Sequence, residues 1–287
     1  MGEPLPGVPV GLVAVEGHAW VAVAQGPYVR LAGGRRLDVG AVPLRMAVAP
    51  AGVWVSVFGD GDLALVDTAG NRVIRRAHLG QGAQPEGLVV AGESVYVVDQ
   101  MGARVVRLDA RSGRVRGQAA VGSGPRLIAA GDSALWVTNF VDDTVTRIQL
   151  TADGGLGRRV TIPVCRGPQG VVVTAARVLV ACTHDDAVAV IDPRTDRVND
   201  TISGIDSADA VIAVGQRVVA IGERGPTAYV IDPASAKVTG RLALDAQGRA
   251  ADGNVDAVVV GDQLWVTHPT PGWLYHLPVS ALLEAGS

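Results

Sequence analysis

The segment Pro125-Arg-Leu-Ile-Ala-Ala-Gly-Asp-Ser-Ala-Leu-Trp-Val137 decides the fold, because its pattern recurs along the whole chain. Residues 9–21 and 85–97 follow the same order: a proline, an apolar run, a tight turn, and a second apolar run ending in an aromatic residue and valine. Two apolar strands joined by a turn rich in small residues predict a β-hairpin. Such segments recur every 34 to 47 residues, starting at Pro9, Pro43, Pro85, Pro125, Pro168, Ser207 and Asn254.

Two further strands follow each hairpin, as the third blade illustrates. Arg104-Val-Val-Arg-Leu108 predicts a third strand, and residues 114–120 predict a fourth. Four blades place an aspartate between these strands, where its carboxylate can accept amide hydrogens from a turn; these residues are Asp67, Asp109, Asp192 and Asp232. Four strands in about 40 residues, repeated seven times, predict an all-β fold: a single seven-bladed β-propeller of antiparallel blades over residues 1–287.

One repeat position carries four of the five tryptophans. From the first blade to the seventh it is occupied by Trp20, Trp54, Tyr96, Trp136, Leu179, Val218 and Trp265. A ring placed regularly inside an apolar strand is expected to fill the gap between neighbouring blades. We favour that interpretation over a sugar-stacking surface.

Composition restricts the choice of partners. The net charge of −3 provides no basic patch for nucleic acid, and no apolar run approaches the ~20 residues of a membrane span. Residues 1–6 lack the pattern of a signal peptide. The chain is therefore expected to be cytoplasmic, or else an extracellular or periplasmic piece of a longer secreted or membrane-anchored protein. The segment before Pro9 and the tail from Ala281 to Ser287 are both candidates for the outer strand that closes the seventh blade.

The repeats resemble those of the YVTN-type β-propeller family. Leu135-Trp-Val-Thr-Asn139 followed by Thr144-Val-Thr-Arg-Ile148 matches that family's unit, as do residues 187–198. The resemblance covers nearly the whole chain and implies the propeller architecture, while the family itself includes binding, sensor and enzymatic members. By architecture the chain also resembles the virginiamycin B lyase type and the extracellular sensor propellers of bacterial membrane-anchored kinases.

The candidate site is one mouth of the central channel. In a four-stranded antiparallel blade, the start of the inner strand and the end of the second strand lie on the same face. Loops at such a face are common places for function. The candidate ligand-binding residues there are Arg45, Glu86, Asp99, Arg126, Asn139, Gln169, Asp209, Glu223, Asp256 and His268. The alternative is that these polar groups pair with one another and with water.

A metal site is a weaker candidate at the same mouth. His184, Glu223 and His268 belong to consecutive blades, and imidazole and carboxylate groups suit a divalent metal ion such as zinc. They lack the short spacing of known metal motifs. The sequence contains no GxSxG, P-loop or HExxH motif, so no catalytic residue is assigned, and no cofactor is assigned beyond this candidate divalent metal.

The two cysteines, Cys165 and Cys182, both lie towards the mouth near the fifth hairpin. A disulfide between them would indicate an oxidising compartment. We expect two unlinked cysteines instead, because the strand positions suggest a Cα separation beyond the roughly 7 Å that a disulfide can span. The preferred function is a binding module for a small molecule or a protein, such as the sensor module of a membrane-anchored protein. The alternative is a lyase or hydrolase acting at the mouth.

Overall fold

The computed structural model describes residues 2–245 and 253–284. Within them, seven antiparallel sheets of four strands each are arranged in a ring, with each inner strand contacting the inner strands of the neighbouring sheets. The seven-bladed all-β propeller predicted from the repeats is confirmed. No helix in these ranges combines the length and the apolar content needed to cross a bilayer.

The strands follow the chain from the inside of each blade to the outside. The closing strand is β1 (Gly2–Pro4). Blade one contains β2 (Pro9–Val15), β3 (His18–Val23), β4 (Tyr28–Arg30) and β5 (Arg36–Asp38). Blade two contains β6 (Pro43–Ala49), β7 (Gly52–Val57), β8 (Asp62–Asp67) and β9 (Arg72–His78). Blade three contains β10 (Pro85–Ala91), β11 (Ser94–Asp99), β12 (Arg104–Asp109) and β13 (Val115–Ala120).

The remaining blades have the same order. Blade four contains β14 (Pro125–Gly131), β15 (Ala134–Asn139), β16 (Thr144–Leu150) and β17 (Leu156–Pro163). Blade five contains β18 (Pro168–Val173), β19 (Val178–Cys182), β20 (Ala187–Asp192) and β21 (Arg197–Ser203). Blade six contains β22 (Ala208–Val214), β23 (Arg217–Gly222), β24 (Thr227–Asp232) and β25 (Lys237–Ala243). Blade seven contains β26 (Ala257–Val260), β27 (Gln263–His268) and β28 (Trp273–Pro278), and α1 (Val279–Glu284) follows it.

The N-terminal segment closes the ring. Strand β1 pairs antiparallel with β28, with Glu3 opposite Leu274, and becomes the outer strand of blade seven. Of the two segments considered for this position, the described part of the C-terminal one lies in α1 instead, where Leu282 is buried against blades six and seven. One sheet therefore joins the two ends of the described chain.

The repeated aromatic residue packs between blades, as predicted. Trp54 is fully buried among side chains of blades two and three, and its Nε1 donates to the Ala110 carbonyl of blade three at 2.8 Å. Tyr96 is buried in the same way and donates to the Gly154 carbonyl of blade four at 2.7 Å. Each ring is thus held by the turn between the third and fourth strands of the following blade.

The four repeated aspartates stabilise turns, as predicted. Each accepts a peptide N–H from two or three residues further along the chain. At Asp109, hydrogen bonds from the Ser112 amide and hydroxyl hold the pKa of the carboxyl well below its usual range. These carboxylates therefore serve the strand connections rather than a binding site.

Candidate functional site

In blades one, three and five, the third residue of the hairpin lies close to the next blade. A Cβ at Gly11 would lie 2.0 Å from the Leu44 carbonyl oxygen, and one at Gly170 would lie 2.4 Å from that of Asp209. These blades therefore need glycine at the position where blades two, six and seven carry Arg45, Asp209 and Asp256. The polar side chains at the mouth are consequently distributed unevenly around the ring.

Arg45 and Asp256 form an ion pair that joins blades two and seven. Arg45 Nη1 lies 3.1 Å from the Asp256 carboxylate and also donates to the Val10 carbonyl at 2.8 Å. The carboxylate in turn accepts the peptide N–H of Leu12 at 2.8 Å. Arg45 is buried. Both ends of the pair are therefore fixed to the backbone of blade one, which lies between them.

Glu86 is the centre of a second group. It is 1% exposed, accepts a hydrogen bond from Gln100 Nε2 at 2.9 Å, and lies 3.5 Å from Arg126 Nη1. Asn254 Nδ2 of blade seven reaches it at 3.5 Å. Burial raises the pKa of the Glu86 carboxyl, and the charges of Arg126 and Arg45 partly oppose that effect.

The sequence did not single out Gln100 and Asn254. Gln100 directly follows Asp99, one of the strand-end positions already considered, and Asn254 occupies the hairpin start where five other segments have proline. A polar residue at that start, where no proline fixes the backbone, is the signal that could have identified Asn254.

Asp209 is the second buried carboxyl group at the mouth whose pKa is raised. It is 1% exposed and accepts the Val255 peptide N–H at 2.6 Å. Its pKa is raised well above the ordinary value, first by burial and then by the neighbouring charge of Glu223, with Arg45 opposing. The half-buried Glu223 accepts a hydrogen bond from the Ser207 hydroxyl at 3.4 Å. Two acidic groups are therefore close together in a poorly hydrated position.

Two buried donors at the mouth lack a partner within the described ranges. They are Nε2 of Gln169, whose residue is 1% exposed, and Nε of Arg126. The Arg126 guanidinium also lies over the ring of Phe140, at 5.1 Å from its centroid. Buried polar groups are normally hydrogen-bonded, so these two donors are exceptions among the described residues.

Asp99 and Asn139 have other partners. Asp99 accepts the peptide N–H groups of Gln84 and Gly102 at 2.9 and 3.2 Å, and Arg104 Nε at 2.8 Å. Asn139 accepts the Gly122 N–H at 3.1 Å and donates to two threonine hydroxyls. Both side chains connect a strand end to neighbouring backbone, which favours a structural role.

The three proposed metal ligands do not form one group. His184 is exposed in a short 3-10 helix, Thr183–Asp185, and meets Phe140 edge-on with ring centroids 5.0 Å apart. His268 is fully buried, with Nδ1 3.4 Å from the Tyr275 hydroxyl. In the part of the chain that the structure describes, no cluster of three or more His, Cys, Asp or Glu residues could hold a metal ion.

A small cavity occupies the channel itself. Its volume is about 190 Å³, and all seven blades contribute residues to its wall. The apolar side chains include Met46, Leu88 and Ile128, while Arg45 and Asp256 are the charged residues of the lining. The channel thus combines a largely apolar wall with the ion pair described above.

The expectation of unlinked cysteines was wrong. Cys165 and Cys182 form a disulfide with a Cα separation of 5.8 Å, which lies within the range that a disulfide can span. Pro168 pairs with Cys182 in the register of β18 and β19. The segment before Pro168 therefore returns towards the end of β19 and brings Cys165 within reach.

Comparisons with known proteins identify the fold and no family. No protein-family model matches the chain, and no curated protein matches it, so the YVTN-type resemblance stays an interpretation of the repeats. Virginiamycin B lyase from Staphylococcus aureus superposes with a TM-score of 0.73 at 14% identity, covering 97% of this chain and 98% of that one.

Other solved structures give similar values. A streptogramin B lyase has a TM-score of 0.74 at 14% identity, covering 96% of this chain and 95% of its own. The computationally designed Ika8 protein has a TM-score of 0.67 at 12% identity, covering 92% of this chain and 83% of that one. At such identities the likeness concerns the fold alone, and function has to be argued from the site.

Proposed function

We propose that the chain is a binding module that holds a small polar molecule at the mouth of its channel. The observation that carries this proposal is the buried side-chain amide of Gln169, whose Nε2 has no partner among the described residues. Leaving a buried donor unsatisfied costs about 1–3 kcal/mol. A ligand oxygen that accepts from this group would recover that free energy.

The surrounding groups define the chemistry of the ligand. The donors Gln169 Nε2 and Arg126 Nε suit an acceptor such as a carbonyl or carboxylate oxygen. The carboxyl groups of Asp209 and of Glu86, which lies 3.5 Å from Arg126 Nη1, suit a hydrogen-bond donor such as an amine or amide. A molecule with both features, of the amino-acid or short-peptide type, is complementary to the mouth.

The disulfide supports a location outside the reducing cytosol. Disulfides persist in secreted and periplasmic proteins and are rare in the cytosol. The Cys165–Cys182 disulfide lies towards the same face as the polar mouth. A ligand-sensing module of a secreted or membrane-anchored protein is consistent with both features.

Thermal shift measurements with free amino acids and dipeptides test the proposal. A ligand present at about 100 times its dissociation constant stabilises the folded state by about 2.7 kcal/mol, which corresponds to an increase of roughly 4–5 °C in the unfolding midpoint of a chain this size. The Gln169→Leu variant should lose at least tenfold in affinity for any compound found. Gln149→Leu, which changes an exposed glutamine of β16, is the matched control. The proposal fails if none of these compounds binds, or if both variants bind equally well.

A second candidate function is a lyase or hydrolase reaction at the same mouth. It is favoured by the raised pKa of the buried Asp209 carboxyl beside Glu223, since general acid–base catalysts have pKa values shifted towards neutrality. Virginiamycin B is the first substrate to try, because a protein of similar fold is named for acting on it. Consumption of the compound, followed by chromatography, should fall about 10²- to 10⁴-fold in Asp209→Asn if this carboxyl group transfers the proton. Turnover unchanged by that substitution would reject the role of Asp209.

A further inference from the structure

Trp265 differs from the other large residues at its repeat position. Trp20 is 3% exposed, and Trp54, Tyr96 and Trp136 are fully buried. Trp265 is only half-buried. One face of its ring is stacked on His276, with centroids 4.7 Å apart and planes inclined by 24°. The ring is therefore held in a fixed orientation while part of it remains accessible.

The cause lies in the shortness of blade one. In blades three and four, the turn between the third and fourth strands covers the aromatic ring of the preceding blade. In blade one, β4 and β5 have three residues each, and they are connected through a short 3-10 helix, Ala32–Gly34. Gly33 and Gly34 have positive φ angles, and a Cβ at either would meet nothing within 4 Å. The element of blade one that corresponds to those covering turns is therefore short and carries no side chain at Gly33 or Gly34.

A cleft of about 500 Å³ is the result. It lies between blades seven and one, on the face opposite to the channel mouth, because its walls include the first hairpin turns of both blades. This volume is within the range of small-molecule sites, about 300–1,000 Å³. Besides Trp265, the polar residues of its wall are Glu3, His18, Arg30, Asp262 and Gln263.

The charges in the cleft largely cancel. Arg30 Nη1 lies 2.7 Å from the Glu3 carboxylate, which leaves Asp262 as the remaining acidic group of the wall. Guanidinium, carboxylate and amide groups together supply both hydrogen-bond donors and acceptors. This lining suits a neutral ligand with many hydroxyl groups better than an ion.

We propose that this cleft is a carbohydrate-binding site, in which Trp265 stacks on the C–H face of a pyranose ring. A sugar ring has one face of C–H groups, which can contact the large apolar surface of an indole. Its hydroxyl groups at the edge both donate and accept, and they match the Arg30–Glu3 pair and Gln263. The site is separate from the channel mouth and does not depend on the function proposed there.

Titration with methyl β-glucoside, N-acetylglucosamine and cellobiose, followed by saturation-transfer NMR, tests the proposal. Because the cleft is open, at least one of these sugars should bind with a dissociation constant of about 1 mM. Trp265→Leu should weaken that binding at least tenfold. Leucine occupies the same position in blade five, at Leu179, so the variant should fold. Trp265→Phe should retain part of the affinity, and Met101→Leu, at an exposed site on the other face, should retain all of it.

Three results would overturn the proposal. The first is the absence of saturable binding of all three sugars at about 100 mM. The second is equal affinity of the wild-type protein and Trp265→Leu. The third is binding of tetramethylammonium without binding of sugars, since that would identify the cleft as a cation–π site.

Discussion

Removal of the Cys165–Cys182 disulfide should lower the free energy of unfolding by about 3 kcal/mol. The two cysteines are 17 residues apart, and cross-linking a loop of that length removes about 10 cal/mol/K of entropy from the unfolded chain, equivalent to about 3 kcal/mol at 25 °C. The entropy of unfolding of a 287-residue chain is about 0.6 kcal/mol/K. The thermal midpoint should therefore fall by about 5 °C.

Urea unfolding of the wild-type protein with and without dithiothreitol measures this effect. The Cys165→Ala/Cys182→Ala variant should resemble the reduced wild type, and dithiothreitol should not change its midpoint. Cys182 is fully buried, and alanine avoids placing a serine hydroxyl there. If alkylation under denaturing, non-reducing conditions labels both wild-type cysteines, and reductant leaves the midpoint unchanged, the disulfide and the oxidising compartment inferred from it are both wrong.

Three further substitutions test the mouth and the packing between blades. Relative to the wild-type protein, Asp209→Asn should become more stable as pH rises above about 4, by up to about 1.4 kcal/mol per pH unit. The reason is that the pKa of Asp209 is raised in the folded state, so the wild-type protein loses stability with rising pH until Asp209 ionises in the folded state. Parallel pH profiles of the two proteins in urea unfolding would contradict this. Arg45→Met should cost about 1.5–3 kcal/mol, because it removes the cation beside the Asp256 carboxylate, which is 21% exposed and keeps the Leu12 N–H. A double-mutant cycle with Asp256→Asn should show coupling between the two residues, and additive effects would refute it. Trp54→Phe should cost about 1–3 kcal/mol in thermal unfolding by leaving the Ala110 carbonyl unpaired, and an unchanged midpoint would show that this hydrogen bond contributes nothing.

The sequence predicted the fold because its signals are local. Hairpin turns, apolar runs and the repeated aromatic position lie within about 13 residues of one another, and their recurrence indicates the number of blades. Inner strands begin as predicted in five blades, for example at Pro43 and Pro125. The exceptions are blades six and seven, which begin at Ala208 and Ala257, one and three residues after the predicted starts. In both of these segments the initial proline is missing.

The contacts at the site join residues that are far apart in the sequence, so no local sequence pattern predicts them. The Arg45–Asp256 pair joins residues of blades two and seven. The sequence could place both charges on the same rim, but it could not predict that they form an ion pair. The disulfide was missed for a related reason. Strand positions locate Cys182, but the path of the segment after β17 determines where Cys165 lies. Similarly, the exposure of Trp265 depends on a turn in blade one rather than on its own surroundings in sequence.

The distribution of glycine at the mouth restricts which blades can contribute side chains to the binding site proposed there. Gly11, Gly87 and Gly170 approach the next blade too closely to carry a side chain, so three blades contribute none at that position. Asp209 and Asp256 come from blades six and seven, while the buried donors of Arg126 and Gln169 come from blades four and five. A ligand held by both sides must therefore present a donor and an acceptor at different ends. The binding module proposed above is therefore expected to prefer an oriented, asymmetric molecule to a spherical ion on the channel axis.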